Sequence, residues 1–427
     1  MLTGISGAYS SMVFAAAEKG DLSAQCLAGA LCACGLGPDG AGLEQAEMWY
    51  RRAAVKNCAD AQLSLGELLY SDENNPDKKS EAVIWYRMAA NQGMPEAQFR
   101  LAMCLSEGSG TAQNRDEAFE LFLESANKGY APSQYCLGTL YEYDTTRTKD
   151  EDKAFYWYSK AAEQGYDEAQ HSLGLCYAKG VGVKADMPKA VEYFTLAARQ
   201  GAVAAQVSLG ICLAEGQGVK RDDKMAFCWF KRAADQEDAE AEFFLGRCFA
   251  EGRGIKKDSV RAKALLDKAA SHAGADVLYE MSQYYCSDEC SEKNYDSAFK
   301  LNKKAADEGF PEAICSLGSM FADGIGCEQD SLKAYHLYRK AADMDNPYAQ
   351  LCCGICFLDG SGVEENEQTA FKYLCRACRG CFIETEAYIV RLAEHGRFCI
   401  EDLEDCIRDE GGIAAYCGLY DRVYVPN

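Results

Sequence analysis

The residues best suited to chemistry in this sequence are cysteines. The chain has 427 residues and 23 cysteines, and Cys375, Cys378 and Cys381 form a C-x-x-C-x-x-C run. Clustered thiolates can hold zinc or an iron–sulfur centre. The nearby cysteines are Cys352, Cys353, Cys356, Cys399 and Cys406. One candidate function is therefore a metal- or redox-active thiol protein.

Other patterns of catalytic residues are missing from the sequence. The 4 histidines, His171, His272, His336 and His395, show no spacing typical of a metal site or a catalytic triad. The sequence has no phosphate-binding loop, no dinucleotide fingerprint and no nucleophile elbow. We therefore expect a protein that is not an enzyme and needs no cofactor.

The overall charge of the chain limits its partners. The formal net charge is -22 and the sequence pI is about 4.7, which is unfavourable for binding a nucleic-acid backbone. No run of about eighteen apolar residues predicts a membrane-spanning helix. We expect no nucleic-acid partner, no membrane insertion and a cytoplasmic location.

A repeat of thirty-six residues must position these side chains. One copy, residues 166–201, reads as two amphipathic helices joined by a glycine turn at residues 180–183. Aligned on a small residue at the fourth position, usually alanine, ten units start at residues 21, 58, 94, 130, 166, 202, 238, 274, 310 and 346. A unit this small cannot bury its apolar face alone, so the copies are expected to stack into a solenoid.

The repeats are expected to fill residues 21–381. Residues 1–20 lack a basic stretch, and their end matches the second helix of a later unit, which favours an N-terminal partial repeat or cap over a signal peptide. Residues 382–427 depart from the pattern, and we interpret them as a helical cap and tail, since a solenoid needs a polar end. A partner-binding tail is the alternative.

The columns of the repeat predict its core. Small residues, aromatic residues and paired alanines recur at helical spacing in the second helix, and a Leu-Gly pair recurs in the first. The glycine of that pair predicts close approach of a neighbouring helix. Five cysteines share one slot with Leu, Tyr and Met, which predicts buried thiols that form no disulfide: Cys104, Cys176, Cys212, Cys248 and Cys356. Cys378 falls in the paired-alanine column, which argues against a metal site.

The complete unit contains the fourth-position alanine, the Leu-Gly pair, the glycine turn and the paired alanines. This pattern resembles the Sel-1-like repeat, a relative of the tetratricopeptide repeat. The resemblance implies an all-α, right-handed superhelical solenoid of antiparallel helix pairs. It also implies a non-enzymatic scaffold or adaptor that binds another protein through its concave face. A secreted, host-interacting effector with the same fold is a further alternative.

The first helix carries a second apolar stripe opposite its core side, at unit positions six and ten. Acidic residues such as Glu96 and Glu168 flank it. This pattern predicts a groove for a protein segment with apolar and basic residues. The alternative is that position six packs against the adjacent repeat. The candidate partner-binding residues are Phe99, Tyr135, His171, Phe243, Tyr279, Met103, Leu175 and Ile211.

Overall fold

The computed structural model describes residues 2–37, 42–72, 75–143, 149–287, 290 and 293–379. It divides into two compact units, Met1–Arg221 and Asp222–Asn427. Within the described ranges the secondary structure is entirely helical, and successive helices pack as antiparallel pairs. The prediction of an all-α solenoid built from helix pairs is confirmed.

The described residues of the first unit form twelve helices: α1 (Leu2–Glu18), α2 (Leu22–Ala33), α3 (Leu43–Ala54), α4 (Ala59–Tyr70), α5 (Pro76–Asn91), α6 (Pro95–Glu107), α7 (Arg115–Asn127), α8 (Ala131–Tyr143), α9 (Glu151–Glu163), α10 (Asp167–Lys179), α11 (Met187–Gln200) and α12 (Val203–Glu215). From α2 onward, each even-numbered helix is the first helix of a repeat, and each odd-numbered helix is the second.

The second unit continues the alternation with nine described helices: α13 (Asp223–Ala234), α14 (Ala239–Glu251), α15 (Ser259–His272), α16 (Ala275–Cys286), α17 (Tyr295–Asp307), α18 (Pro311–Asp323), α19 (Ser331–Ala342), α20 (Pro347–Asp359) and α21 (Glu367–Arg379). The predicted terminal segment 382–427 lies outside the described residues.

The glycine pair of the turn has two separate structural roles, as the fifth repeat shows. Gly180 ends α10 in the left-handed conformation at φ 78°, which glycine adopts without a steric penalty. Gly182 lies against the preceding repeat, where an added Cβ would stand 2.2 Å from the Glu151 carbonyl oxygen. Asp186 then caps α11 by accepting a hydrogen bond from the Lys189 amide at 3.2 Å.

The glycine of the Leu-Gly pair makes room for a large side chain of the second helix. A Cβ added to Gly318 would lie 2.8 Å from two ring carbons of Tyr338. Four other repeats place an aromatic ring in the same way, over Gly29, Gly66, Gly138 and Gly174. The predicted close approach of a neighbouring helix is therefore confirmed, and an aromatic ring causes it in these repeats.

The five cysteines of the shared slot are all buried, as predicted. Burial raises the pKa of Cys176 and Cys248 to about 12 and that of Cys104 to about 11. A thiol with so high a pKa stays protonated and unreactive at neutral pH. No disulfide joins any of the cysteines that the structure describes.

A buried glutamine one residue after the fourth-position alanine was not singled out by the sequence reasoning. Gln62 donates from Nε2 to the Ala54 carbonyl at 3.1 Å, and Gln134 does the same to Ala126 at 3.0 Å. This bond joins a first helix to the end of the preceding repeat. The carbonyl also accepts a backbone hydrogen bond, from the Asn57 amide in the case of Ala54, so the glutamine adds a second donor and ties the two repeats together.

In the seventh repeat, Glu242 replaces this glutamine and is fully buried. Its carboxylate lies 2.6 Å from the Lys268 ammonium group and 3.6 Å from the His272 ring. An ionised carboxylate cannot donate to a carbonyl as glutamine does, and burying its charge is costly.

We expect Glu242→Gln to raise the free energy of unfolding by about 1 kcal/mol, because the amide can donate where the carboxylate cannot. Urea denaturation measures the change. The reciprocal substitution Gln350→Glu, at the same position in the tenth repeat, should destabilise the protein. Stabilisation by Gln350→Glu would contradict the conclusion that a glutamine amide at this position stabilises the protein more than a carboxylate does.

Candidate partner-binding face

The candidate face is the side of the first helices that carries unit positions three, six and ten; we call it the first-helix face. At position six, three aromatic rings pack on the first residue of the next repeat. The ring centroids of Phe99 and Tyr130 are 5.5 Å apart, as are those of Tyr135 and Tyr166. Tyr279 and Phe310 are 5.7 Å apart. The position-six column therefore connects successive repeats.

His171 occupies the same column and is half-buried. Its ring lies 5.5 Å from that of Phe194, and its Nε2 is 3.0 Å from the Ser208 hydroxyl of the next repeat. Burial lowers the pKa of His171 to about 4. The imidazole is therefore neutral at physiological pH and acts as a packing and hydrogen-bonding group.

Phe243 must be removed from the predicted binding set. It is 1% exposed, and its ring packs 5.8 Å from that of Tyr284. A side chain with no accessible surface cannot anchor a partner without local rearrangement. Position six is buried in several other repeats as well, at Leu63, Val207, Cys315 and Leu351.

The position-ten residues Met103, Leu175 and Ile211 are each half-buried and retain exposed surface. Leu175 and Tyr135 share a pocket of about 160 Å³ between α8 and α10. The other six predicted residues do not line this pocket. Its full lining is Tyr135, Thr139, Glu142, Tyr143, Tyr158, Ser172, Leu175, Cys176, Lys179 and Val181.

The polar centre of this pocket is the Glu142 carboxylate, which the sequence reasoning did not identify. Its Oε2 accepts a hydrogen bond from the Tyr158 hydroxyl at 2.8 Å. Burial, followed by the hydrogen bond and charge of Glu142, raises the pKa of Tyr143 to about 12. Leu175 and Val181 supply apolar surface beside the carboxylate. The pocket thus combines a carboxylate with apolar walls, and the ammonium-bearing side chain of Lys179 also lines it.

The second unit carries an acidic group on its own first-helix face. It consists of Asp238, Glu240, Asp276 and Glu280, from the start of α14 and from α16. Burial, followed by the charges of the other three, raises the pKa of Glu240 to about 7. Burial and the Asp276 charge also raise the pKa of Glu280, while Arg247 opposes the shift. Carboxylates held this close favour a neighbouring cation.

Comparison with known proteins identifies the repeat. The family model described as the Sel1 repeat matches ten consecutive segments: residues 22–56, 59–94, 95–130, 131–166, 167–201, 203–238, 239–273, 275–310, 311–346 and 347–380. The chain belongs to the Sel1 repeat family. The ten Sel1 repeats correspond, within a few residues at each end, to the ten predicted units.

The solved structures that are similar to this Sel1 repeat protein include two with TM-scores of 0.50 or above. One is c5321, described as a protective antigen present in uropathogenic Escherichia coli strains and displaying an SLR fold. It is 28% identical, has a TM-score of 0.58, and the match covers 91% of this chain and 83% of that chain. The other is a Sel1 repeat protein from Oxalobacter formigenes, with 30% identity, a TM-score of 0.50, and coverage of 53% and 93% respectively. No curated protein sequence matches the chain.

The tenth Sel1 repeat contains the start of the cysteine run. Cys375 is half-buried on α21, whereas the Cys378 side chain and Cys381 lie outside the described residues. Within the described ranges, no three His, Cys, Asp or Glu side chains are grouped so as to hold a metal ion. None of the described helices is long and apolar enough to cross a membrane.

Proposed function

We propose that this protein is a non-catalytic scaffold or adaptor that binds another protein along the first-helix face of its Sel1 repeats. Solenoids of this family commonly serve as protein-interaction scaffolds. The observation that carries the proposal is the pocket between α8 and α10, where Glu142 lies beside Leu175 and Val181 on this face.

The chemistry of the face supports a partner segment with both basic and apolar residues. The carboxylate of Glu142 suits a cationic group, and the adjacent apolar walls suit an aliphatic or aromatic side chain. The acidic group around Glu240 provides a second place for a basic residue on the other unit. A net charge of -22 also increases the rate of encounter with a basic partner.

Site-specific photo-crosslinking tests the proposal with two matched tyrosines. Tyr143 lines the pocket and is 66% exposed, whereas Tyr156 lies on the second helix α9 and is 51% exposed. We expect a photoreactive residue at 143 to form a defined adduct in cells. The same residue at 156 should not form that adduct.

The crosslinked segment, sequenced by mass spectrometry, should contain lysine or arginine next to apolar residues. Leu175→Glu should abolish the adduct, because it replaces the apolar wall that holds the partner's aliphatic or aromatic side chain with a hydrated charge. Leu196→Glu, at an exposed leucine of α11, provides the control and should leave the adduct intact. Equal crosslinking from 143 and 156, or capture of an acidic segment, would refute the proposal.

We further propose a cytoplasmic location, supported by buried thiols that occupy core positions and form no disulfide. The alternative is a secreted host-interacting effector, and it draws support from the similarity to a protein described as a protective antigen. Cell fractionation followed by antibody detection separates the two. Recovery mainly from the culture medium or cell surface would favour the alternative.

A further inference from the structure

The junction between the first and second repeats differs chemically from the junctions that follow it. At three later junctions an aromatic ring at position six packs on an aromatic ring at position one of the next repeat, as in Phe99 with Tyr130. Between the first two repeats, these two positions are Cys26 on α2 and Cys58 at the start of α4. Their sulfur atoms are 3.5 Å apart.

We propose that Cys26 and Cys58 are an oxidation site that forms a reversible disulfide between the first and second repeats. The repeat geometry brings these two positions into contact, so the approach of the sulfurs follows from the fold. Closing the gap to a disulfide bond of about 2.0 Å requires a movement of about 1.5 Å. Both residues are half-buried and therefore accessible to a small oxidant.

The oxidant that we infer is a hydroperoxide. Burial, then the hydrogen bond and charge of Cys58, raise the pKa of Cys26 to about 12, so Cys26 stays protonated. The Cys58 sulfur, which loses its proton, attacks the peroxide; a sulfur–oxygen bond forms, the O–O bond breaks, and the leaving oxygen is protonated to water from hydrogen peroxide or to an alcohol from an organic hydroperoxide. Cys26 then attacks the sulfenic acid, losing its proton as the S–S bond forms and water leaves.

The structural consequence concerns how the first two repeats are held together. Two small thiols stand where three later junctions have a pair of rings, so this junction has less apolar contact than those three in the reduced state. A disulfide would close the loop that contains α3 and link two successive first helices covalently. Oxidation should therefore stiffen the N-terminal end of the first-helix face.

Peptide mapping of the full-length protein tests the proposal. Reduced protein is treated with hydrogen peroxide at increasing ratios, alkylated and digested with trypsin, which separates Cys26 from Cys58 by cutting after Arg51 and Lys56. We expect the Cys26–Cys58 linked peptide to be the first oxidised species. It should disappear with dithiothreitol. Fragment spectra must distinguish Cys26 from other cysteines of the same peptide.

Variants complete the test. In Cys26→Ser, Cys58 should accumulate as sulfenic acid that dimedone traps. The double variant Cys26→Phe with Cys58→Tyr restores the ring pair and should melt at a higher temperature than the reduced protein, with no response to peroxide. Prior oxidation of the exposed Cys34 or Cys228, with no Cys26–Cys58 linked peptide, would overturn the proposal.

Discussion

Replacing Gly318 by alanine is expected to lower the free energy of unfolding by about 2 kcal/mol. In an ordinary helix the same change stabilises by about 1 kcal/mol. Here the new methyl group would stand 2.8 Å from two carbons of the Tyr338 ring. That ring is 6% exposed, and its hydroxyl donates to Ser319 at 3.2 Å, so it has little freedom to move.

Gly246→Ala is the matched control, because it lies at the same repeat position in the same unit. There the added methyl group meets Leu266 at 3.0 and 3.1 Å. A leucine side chain can shift by a few tenths of an ångström, so the change should be close to neutral. Urea denaturation of both variants measures the difference. Equal effects would show that the aromatic ring does not make glycine necessary.

Acid is expected to destabilise the first unit through His171. The folded state holds its pKa at about 4, whereas an unfolded histidine titrates near 6.5. Between these values the unfolded chain binds more protons, so the unfolding free energy falls as pH decreases. The decrease in the free energy of unfolding begins near pH 6.5 and is complete near pH 4. It amounts to at most about 3 kcal/mol.

His171→Phe should remove this part of the pH dependence, since phenylalanine occupies the same column as residue 99. The measurement is the difference in thermal midpoint between variant and parent from pH 4 to 7. That difference should grow in favour of the variant as the pH falls. His336→Phe, at an exposed histidine, should show no such trend. Parallel curves for His171→Phe and the parent would contradict the prediction.

The fold was largely predictable because the same pattern of residues recurs in ten consecutive units. A single Leu-Gly pair is ambiguous, but its recurrence every thirty-six residues indicates a helix contact, and the ring of Tyr338 over Gly318 provides it. The slot shared by cysteine and leucine predicted burial for Cys176 and Cys248 on the same grounds. A residue type that recurs at one unit position therefore indicates a packing requirement, whereas a single occurrence can be due to chance.

The binding face was harder to predict, because spacing along one helix does not specify what covers it. Tyr135 and Phe243 occupy the same unit position, yet Tyr135 lines an open pocket and Phe243 is buried. The difference arises from neighbouring helices. Glu142 was missed because an acidic residue at the end of a helix is common in sequences and becomes distinctive only beside Tyr158.

The sequence by itself determined the repeat length, the helix pairs, the buried columns and the acidic character of this chain. These properties depend on local periodicity and composition. Only the tertiary structure decided which position-six side chains remain accessible, where Glu142 and Tyr158 meet, and that Cys26 lies 3.5 Å from Cys58. Those contacts join residues of different helices, and their distances depend on how the helices pack.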